Sequence, residues 1–206
     1  MIENLIIENS IETFESWITK DFLSDKTKKS LQRASILFVP SIGFREENVP
    51  TFPVLTEEIY NYFQENLPAE IIAEICIDDE NYFEIALHSD YKRIGNFVVK
   101  AVVIPIFAAV LTAYIIEKYV KPEESQPQIN VINIDNSTHT TIINPEPIKQ
   151  APKKYLEPSM VQFTITVVDS SKNSKEFKYE GKAKDVKTVV DEIYKLWGND
   201  TTTNSK

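Results

Sequence analysis

The chain has 206 residues, a formal net charge of −9 and a single cysteine, Cys76, which excludes an intramolecular disulfide and a multi-cysteine metal site. Its four glycines form neither a G-x-G-x-x-G nor a G-x-x-x-x-G-K pattern, so we expect no nucleotide cofactor. Residues 1–97 contain 18 acidic and 8 basic side chains, and because such an acidic half repels phosphate backbones, we expect no nucleic-acid partner.

The first segment, MIENLIIENSIETFESW, begins with acidic residues and lacks the basic region that is typical of a secretory signal peptide. Asn9 and Glu12 have the spacing of a helix capping box. Apolar side chains then recur at helical spacing: Ile11, Phe14, Trp17, Ile18 and Phe22. This pattern predicts an amphipathic helix that ends near residue 23.

The rest of the front half alternates between predicted helices and strands. TKKSLQRA (27–34) predicts a short helix, and SILFVP (35–40) predicts a buried strand. A helix capped by Thr56 should stop before Pro68, since proline cannot continue it. The runs 71–77 and 82–88 then predict a β-hairpin. Residues 1–97 are therefore expected to form a small, acidic α+β domain.

The long loop 41–53 is the one candidate for ligand contact in this half. It contains Gly43, Phe44 and Arg45 between two buried elements, and loops of this length often touch partners. The alternative interpretation is an ordinary surface loop.

A catalytic site is not expected. In the predicted hairpin, Cys76 lies opposite a residue near 83, so His88 is too far along the partner strand for a nucleophile pair. The acidic run at Asp78, Asp79 and Glu80 is typical of a solvated turn, although it contains the oxygen ligands that hard cations prefer. We therefore predict no catalytic, cofactor-binding or metal-binding residues, and a protein that is not an enzyme.

The stretch 98–120, VVKAVVIPIFAAVLTAYIIEKYV, has two interpretations. Residues 101–116 contain no charge and would form a helix of about 24 Å, whereas a bilayer core is about 30 Å thick. Extension back to residue 94 closes this gap and includes Lys100, whose ammonium can reach the interface. The main hypothesis is a membrane span; the alternative is a helix buried in the protein or in a partner.

Under either interpretation, the same residues of the apolar helix are expected to make contacts with their surroundings. The residues expected to face lipid or another helix are Ile104, Pro105, Phe107, Ala108, Leu111 and Ala113. Small side chains among them allow close helix approach. Three basic residues lie towards the N-terminal side of the apolar run (Lys92, Arg93 and Lys100) and two towards its C-terminal side (Lys118 and Lys121). This small bias favours a cytoplasmic N-terminal domain; the alternative is a soluble cytoplasmic protein.

The back half begins with a polar linker over 121–158 that contains a possible β-hairpin at 129–144, INVINIDNSTHTTIIN. This run also suits strand pairing with another chain. Residues 159–198 form the clearest module. VQFTITVV alternates, KEFKYEG follows a turn, and a helix comes next. Its apolar residues are Val186, Val189, Val190, Ile193 and Trp197, with Gly198 as the expected stop.

This β-β-α module has the element order of half a β-grasp fold, an analogy without a motif. It is too small to be stable alone, so we expect it to pack on the 129–144 strands, the front half or another copy. Residues 199–206 are predicted to be a disordered tail.

The predicted fold class is α+β: a small N-terminal α+β domain, one long apolar helix, and a β-rich C-terminal region that ends in the β-β-α module. The first functional hypothesis is a non-enzymatic, single-span membrane protein that acts as a sensor, scaffold or oligomerising membrane effector, for example in microbial defence. The alternative is a soluble adaptor or complex subunit that contacts itself or a protein partner.

Overall fold

The computed structural model describes residues 4–43, 49–86, 90–120 and 159–200, which form an α+β fold with one long apolar helix, as predicted. The linker and possible hairpin within 121–158, the loop residues Phe44 and Arg45, His88 and the tail from 201 onward lie outside the described residues. The strands are β1 (Leu5–Ser10), β2 (Ile36–Val39), β3 (Phe52–Pro53), β4 (Ala73–Ile75), β5 (Glu84–Ile85), β6 (Tyr91–Lys100), β7 (Met160–Val168) and β8 (Ser174–Lys182). The helices are α1 (Phe14–Ile18), α2 (Asp25–Leu31), α3 (Thr56–Asn66), α4 (Ile104–Tyr119) and α5 (Val186–Asp200).

A six-stranded mixed sheet in the order β1-β8-β7-β6-β2-β4 organises the fold. The pairs β6–β7 and β2–β4 are parallel, and the other neighbours are antiparallel. Strands from the front half and from the β-β-α module therefore share one sheet. Of the packing partners expected for that module, the described residues show the front half, because β7 pairs with β6 and β8 pairs with β1.

Helices cover the sheet on two sides. The larger core lies between one face of the sheet and α3, α4 and α5, and it contains the apolar side chains of all three helices. The smaller core lies on the opposite face, where α1 and α2 contribute Trp17 and Leu31 against Leu37, Val98 and Val168. Successive strand residues point to opposite faces, which explains why β2 is buried at every position.

The β-β-α module is confirmed in detail. β7 and β8 pair antiparallel, so that Phe163 lies opposite Tyr179 and Ile165 lies opposite Phe177. All five predicted apolar residues of α5 are buried. The helix continues through Gly198 to Asp200, so the prediction that Gly198 ends it is wrong.

The predicted first helix is wrong at its start and at its end, because α1 covers only Phe14–Ile18 and does not continue to residue 23. Residues Leu5–Ser10 form edge strand β1 instead, and the N-cap of α1 is Thr13, whose hydroxyl accepts a hydrogen bond from the Ser16 amide. The Thr13 and Ser16 side chains form a reciprocal capping box, which replaces the Asn9–Glu12 box. Pairing of β1 with β8 supplies backbone hydrogen bonds that the local pattern does not reveal.

The predicted hairpin of 71–77 with 82–88 is also wrong. β4 pairs parallel with β2, and β5 pairs parallel with β3, so the two runs belong to different sheets. Between them the Asp78 carboxylate accepts hydrogen bonds from Ser24, and a 3₁₀ turn covers Asp79–Asn81. With these contacts, the chain does not form the tight turn that a β-hairpin requires.

The strand prediction at 35–40 and the helix stop before Pro68 are confirmed, since β2 covers Ile36–Val39 and α3 ends at Asn66. The start of α3 differs. Its N-cap is Leu55, with a left-handed φ of 76°, and the Thr56 hydroxyl donates to the Pro53 carbonyl at 2.7 Å.

Candidate functional site

The long apolar helix α4 is the feature that most constrains function, and the sheet fixes its position. β6 ends at Lys100, a 3₁₀ turn follows over Ala101–Val103, and α4 begins at Ile104. The next described strand is β7, which pairs parallel with β6 over nine residue pairs from Tyr91↔Met160 to Lys100↔Val168. α4 therefore lies in the crossover of a β-α-β unit.

One side of α4 belongs to the larger core. The side chains of Ile104, Phe107 and Leu111 are buried against the sheet. The Phe107 ring lies 5.3 Å from the ring of Phe97 on β6 and 5.5 Å from the ring of Phe63 on α3, measured between centroids. These aromatic contacts join helix, sheet and neighbouring helix into one packed unit.

The C-terminal half of α4 is attached to α3 by polar contacts. The Tyr114 hydroxyl donates to a Glu58 carboxylate oxygen at 3.1 Å, and Lys118 Nζ lies 2.8 Å from the same oxygen. Sequence reasoning missed Glu58. Tyr114 and Lys118 are four residues apart on a mainly apolar helix, and this spacing was the available signal for an acidic partner.

The opposite side of α4, which we call the outer face, carries no charge between Pro105 and Ile116. It consists of Pro105, Ala109, Thr112, Ala113 and Ile116, which are exposed or half-buried. These positions recur every three or four residues, so they form one stripe about 17 Å long. The flanking helices α3 and α5 pack against the sheet on the same side. The outer face is therefore an uncharged, mainly apolar surface that the described residues leave at least partly exposed.

The six residues expected to contact lipid or another helix divide between these two sides. Ile104, Phe107 and Leu111 lie in the core, and Ala108 is partly buried against it. Pro105 and Ala113 are on the outer face.

The proposed ligand loop is described only at its first residue. Gly43 is exposed and has a left-handed φ of 82°, which favours glycine at that position.

Cys76 and Asp78, the described residues considered above as catalytic candidates, are held by packing and by hydrogen bonds. Cys76 is fully buried in the smaller core, and burial raises the pKa of its thiol to about 12. Asp78 accepts hydrogen bonds from the Thr27 hydroxyl and from the Ser24 amide and hydroxyl, and these bonds lower the pKa of its carboxyl. Within the described part of the chain, no three His, Cys, Asp or Glu side chains cluster as a metal site would require.

Two further findings concern the apolar composition of α4 and the comparison of the whole chain with known proteins. Residues Ala101–Tyr119 are long and apolar enough to cross a membrane, a property that core helices of soluble proteins share. Comparison of the chain with protein-family models, with curated proteins and with solved structures gave no match.

Proposed function

We propose that this protein is a non-enzymatic adaptor or complex subunit, that α4 is a core helix in water, and that the chain self-associates through the outer face of α4. The observation that carries this proposal is the parallel pairing of β6 with β7 on either side of α4 in the sequence.

The pairing of β6 with β7 argues against a membrane span by residues 101–119 in the folded chain. If 101–119 crossed a bilayer, β6 and β7 would end on opposite sides and their nine residue pairs could not form. A return crossing would need about 20 apolar residues, and 121–158 contains six prolines and no such run. Burial of Ile104, Phe107 and Leu111 in the larger core supports the same conclusion.

The outer face supports self-association. A helix that is apolar all round normally has protein or lipid on every side, yet the described residues cover only one side of α4. The chain carries a net charge of −9, so two copies repel each other overall, whereas the outer face is uncharged. Ala109 and Ala113 also let a second helix approach closely. A second copy of α4, related by a two-fold axis, complements all these properties.

A structural role supports the non-enzymatic part of the proposal. The buried Cys76 thiol has a raised pKa and therefore little thiolate, which is the nucleophilic form. The Asp78 oxygens are occupied by hydroxyl and amide donors from the start of α2. The Cys76 thiol and the Asp78 carboxylate therefore stabilise the fold, and neither is free to react with a substrate.

Sedimentation velocity of the full chain in detergent-free buffer tests the proposal. We expect a dimer at micromolar concentration, and Ala109→Arg should give a monomer because it places a charge at the centre of the outer face. Ala69→Arg is the matched control, since Ala69 is exposed in the turn between α3 and β4; it should leave the dimer intact. Circular dichroism would verify that both variants are folded. A folded wild type that stays monomeric, or dimers that survive Ala109→Arg, would contradict self-association through this face.

A second candidate is the single-span membrane effector, which the length and apolar composition of Ala101–Tyr119 favour. In that case α4 would have to leave the sheet and expose the core residues to lipid. Carbonate extraction of membranes from expressing cells distinguishes the two. We expect the protein in the soluble fraction; retention in the carbonate-resistant pellet would support the membrane candidate and oppose the core-helix proposal.

A further inference from the structure

A cavity of about 610 Å³ opens at the carboxyl ends of the parallel strands β6 and β7. Its volume falls within the range of small-molecule sites, about 300–1,000 Å³. Ligands of open α/β sheets commonly bind outside the carboxyl ends of parallel strands. The cavity lies before the first turn of α4 and is separate from the outer face, so the following proposal does not rest on self-association.

The walls of this cavity are mainly apolar. α1 contributes Phe14 and Ile18, the 3₁₀ turn after β6 contributes Ala101 and Val102, and β7 contributes Val168. Val102 is 82% exposed and marks the mouth. Such a surface favours an apolar ligand body, because burial of apolar area yields about 25 cal/mol per Å².

The ammonium of Lys100 lies beside these apolar walls and has no acidic partner among the described residues. Lys100 ends β6, and its ammonium lies 5.3 Å from the centroid of the Phe14 ring. Among the described residues no carboxylate forms a salt bridge with it. A lysine in such surroundings gains most from an anion that reaches it through the cavity, because the low local polarity strengthens the attraction.

The other charged groups at the rim already have partners. Lys172 Nζ lies 2.5 Å from a Glu15 carboxylate oxygen. Asp169 accepts hydrogen bonds from the backbone amides of Ser171 and Asn173 at 2.8 and 2.9 Å and from the Asn173 side chain at 2.9 Å. Asp169 keeps its negative charge, but of the described charged side chains that line the cavity, Lys100 is the one whose charged group has neither a hydrogen-bond nor an ion-pair partner.

We infer that this cavity binds a medium-sized amphipathic carboxylate, with its apolar body against Phe14, Ile18 and Val168 and its carboxylate on the Lys100 ammonium. An uncharged analogue lacks the ion pair, and a cationic analogue meets repulsion from Lys100. The chain would thereby sense or carry an organic acid in addition to any role in assembly.

Isothermal titration of the full chain tests the chemical class, with decanoate and decyltrimethylammonium below their micelle concentrations and decanol below its solubility limit. We expect decanoate to bind, decanol to bind at least fivefold more weakly, and the ammonium compound to bind more weakly still. Equal affinity for all three would overturn the inference, because the site would then be a non-selective apolar surface. Absence of decanoate binding would overturn it too.

Two variants locate the site. Lys100→Gln should weaken decanoate binding about tenfold, the size expected for loss of one charge-assisted hydrogen bond. Val102→Asp should weaken it as well, since it places a negative charge at the mouth, and because Val102 is exposed the fold should survive. Val54→Asp, at a half-exposed valine beside α3, is the matched control and should bind as the wild type does.

The assignment of decanoate binding to this cavity is contradicted if binding is unchanged in both Lys100→Gln and Val102→Asp, or if Val54→Asp lowers it equally. Vesicles of anionic phospholipid provide a further arm: binding to vesicles without binding to monomeric decanoate would assign the cavity region to a membrane surface and overturn the small-molecule site. The sedimentation result for Ala109→Arg is independent of these outcomes, so each proposal can fail alone.

Discussion

The rings of Phe97 on β6 and Phe107 on α4 meet edge to face, with centroids 5.3 Å apart and planes inclined by 63°. Both side chains are buried, and Phe107 has no exposed surface. This contact fixes the crossover helix on the strand that leads into it. It also gives α4 a measurable contribution to the stability of the fold in water.

Phe107→Ala should therefore destabilise the full chain by about 3–5 kcal/mol, the usual cost when a large buried aromatic side chain is removed. Val102→Ala, at an exposed position just before the same helix, should change the free energy of unfolding by less than about 0.5 kcal/mol. Urea denaturation followed by far-UV circular dichroism measures both. Equal stability of the Phe107→Ala protein and the wild type would mean that α4 is not packed on the sheet.

A second prediction concerns Asp78, which links the region after β4 to the start of α2. Its carboxylate accepts hydrogen bonds from the Ser24 amide at 2.9 Å and the Ser24 hydroxyl at 2.8 Å, and from the Thr27 hydroxyl. Asp78→Ala should cost about 1 kcal/mol, the middle of the range for a single net hydrogen bond, because the site is close to solvent. Asp79→Ala is the control, since the Asp79 side chain is exposed and no described residue donates a hydrogen bond to its carboxylate.

The Asp78 contribution should depend on pH. Hydrogen bonds from Thr27 and Ser24 lower the pKa of this carboxyl in the folded chain below its ordinary value of 3.8. The stabilisation is thus fully present above pH 3.8 and is lost as the pH falls through the folded pKa. The stability difference between wild type and Asp78→Ala should shrink on acidification. A difference that grows instead would contradict this assignment.

How far the sequence predicts this fold depends on the range of the contacts. The β-β-α module could be predicted because its alternation and helical spacing are local, and Phe163, Phe177 and Val190 are buried as expected. The pairings of edge strands β1 and β4 could not, because each pairs with a strand distant in the sequence, although the pattern at 71–77 predicts a strand. A short, polar run such as Leu5–Ser10 becomes a strand only when β8 supplies its partner.

The candidate site was predictable only in part, for a related physical reason. The apolar composition of α4 is visible in the sequence, but the division between its buried and outer sides is not, because the helix has no polar stripe to mark it. Only the Tyr114–Lys118 spacing hinted at a partner, Glu58. The cavity beside Lys100 combines residues of α1, β6 and β7, which no local pattern joins.

A third prediction is a loss of stability at alkaline pH. Burial, with a smaller effect from Asp185, raises the pKa of Tyr179 from its ordinary value of 10 to about 12. Its hydroxyl is protonated in the fold and donates to the Lys182 carbonyl at 3.0 Å. The stabilisation is fully present below pH 10 and is lost as the pH rises towards 12, by on the order of 2 kcal/mol.

Equilibrium unfolding of the wild type and of Tyr179→Phe between pH 9 and 12 measures this effect. Tyr179→Phe should show a shallower decline in the free energy of unfolding, because the ionisable hydroxyl is gone. Tyr194→Phe is the control, since half of the Tyr194 side chain is exposed, and its decline should match that of the wild type. Parallel curves for all three proteins would remove Tyr179 as a cause of alkaline instability.

The last prediction tests the position of the strands on either side of α4. Asn96 on β6 and Thr164 on β7 are direct partners in the parallel register, and both side chains are half-buried on the sheet face opposite α4. Neighbouring strands lie about 4.8 Å apart, within the Cα separation that a disulfide allows. Asn96→Cys with Thr164→Cys, in a Cys76→Ala background, should therefore form an intramolecular disulfide on mild oxidation. Faster migration on non-reducing electrophoresis and the loss of two hydrogens in the mass would detect it.

The control combines Asn96→Cys with Lys187→Cys, because Lys187 is exposed on α5, on the other side of the sheet. This pair should remain reduced or link only between chains. The experiment separates the two interpretations of 98–120 without any assumption about function. A helix that crosses a bilayer would put positions 96 and 164 in different compartments, where no bond within the chain can form, whereas a crossover helix keeps them adjacent. A disulfide within the chain, formed in the cytosolic extract before any membrane is solubilised, is the result that we expect.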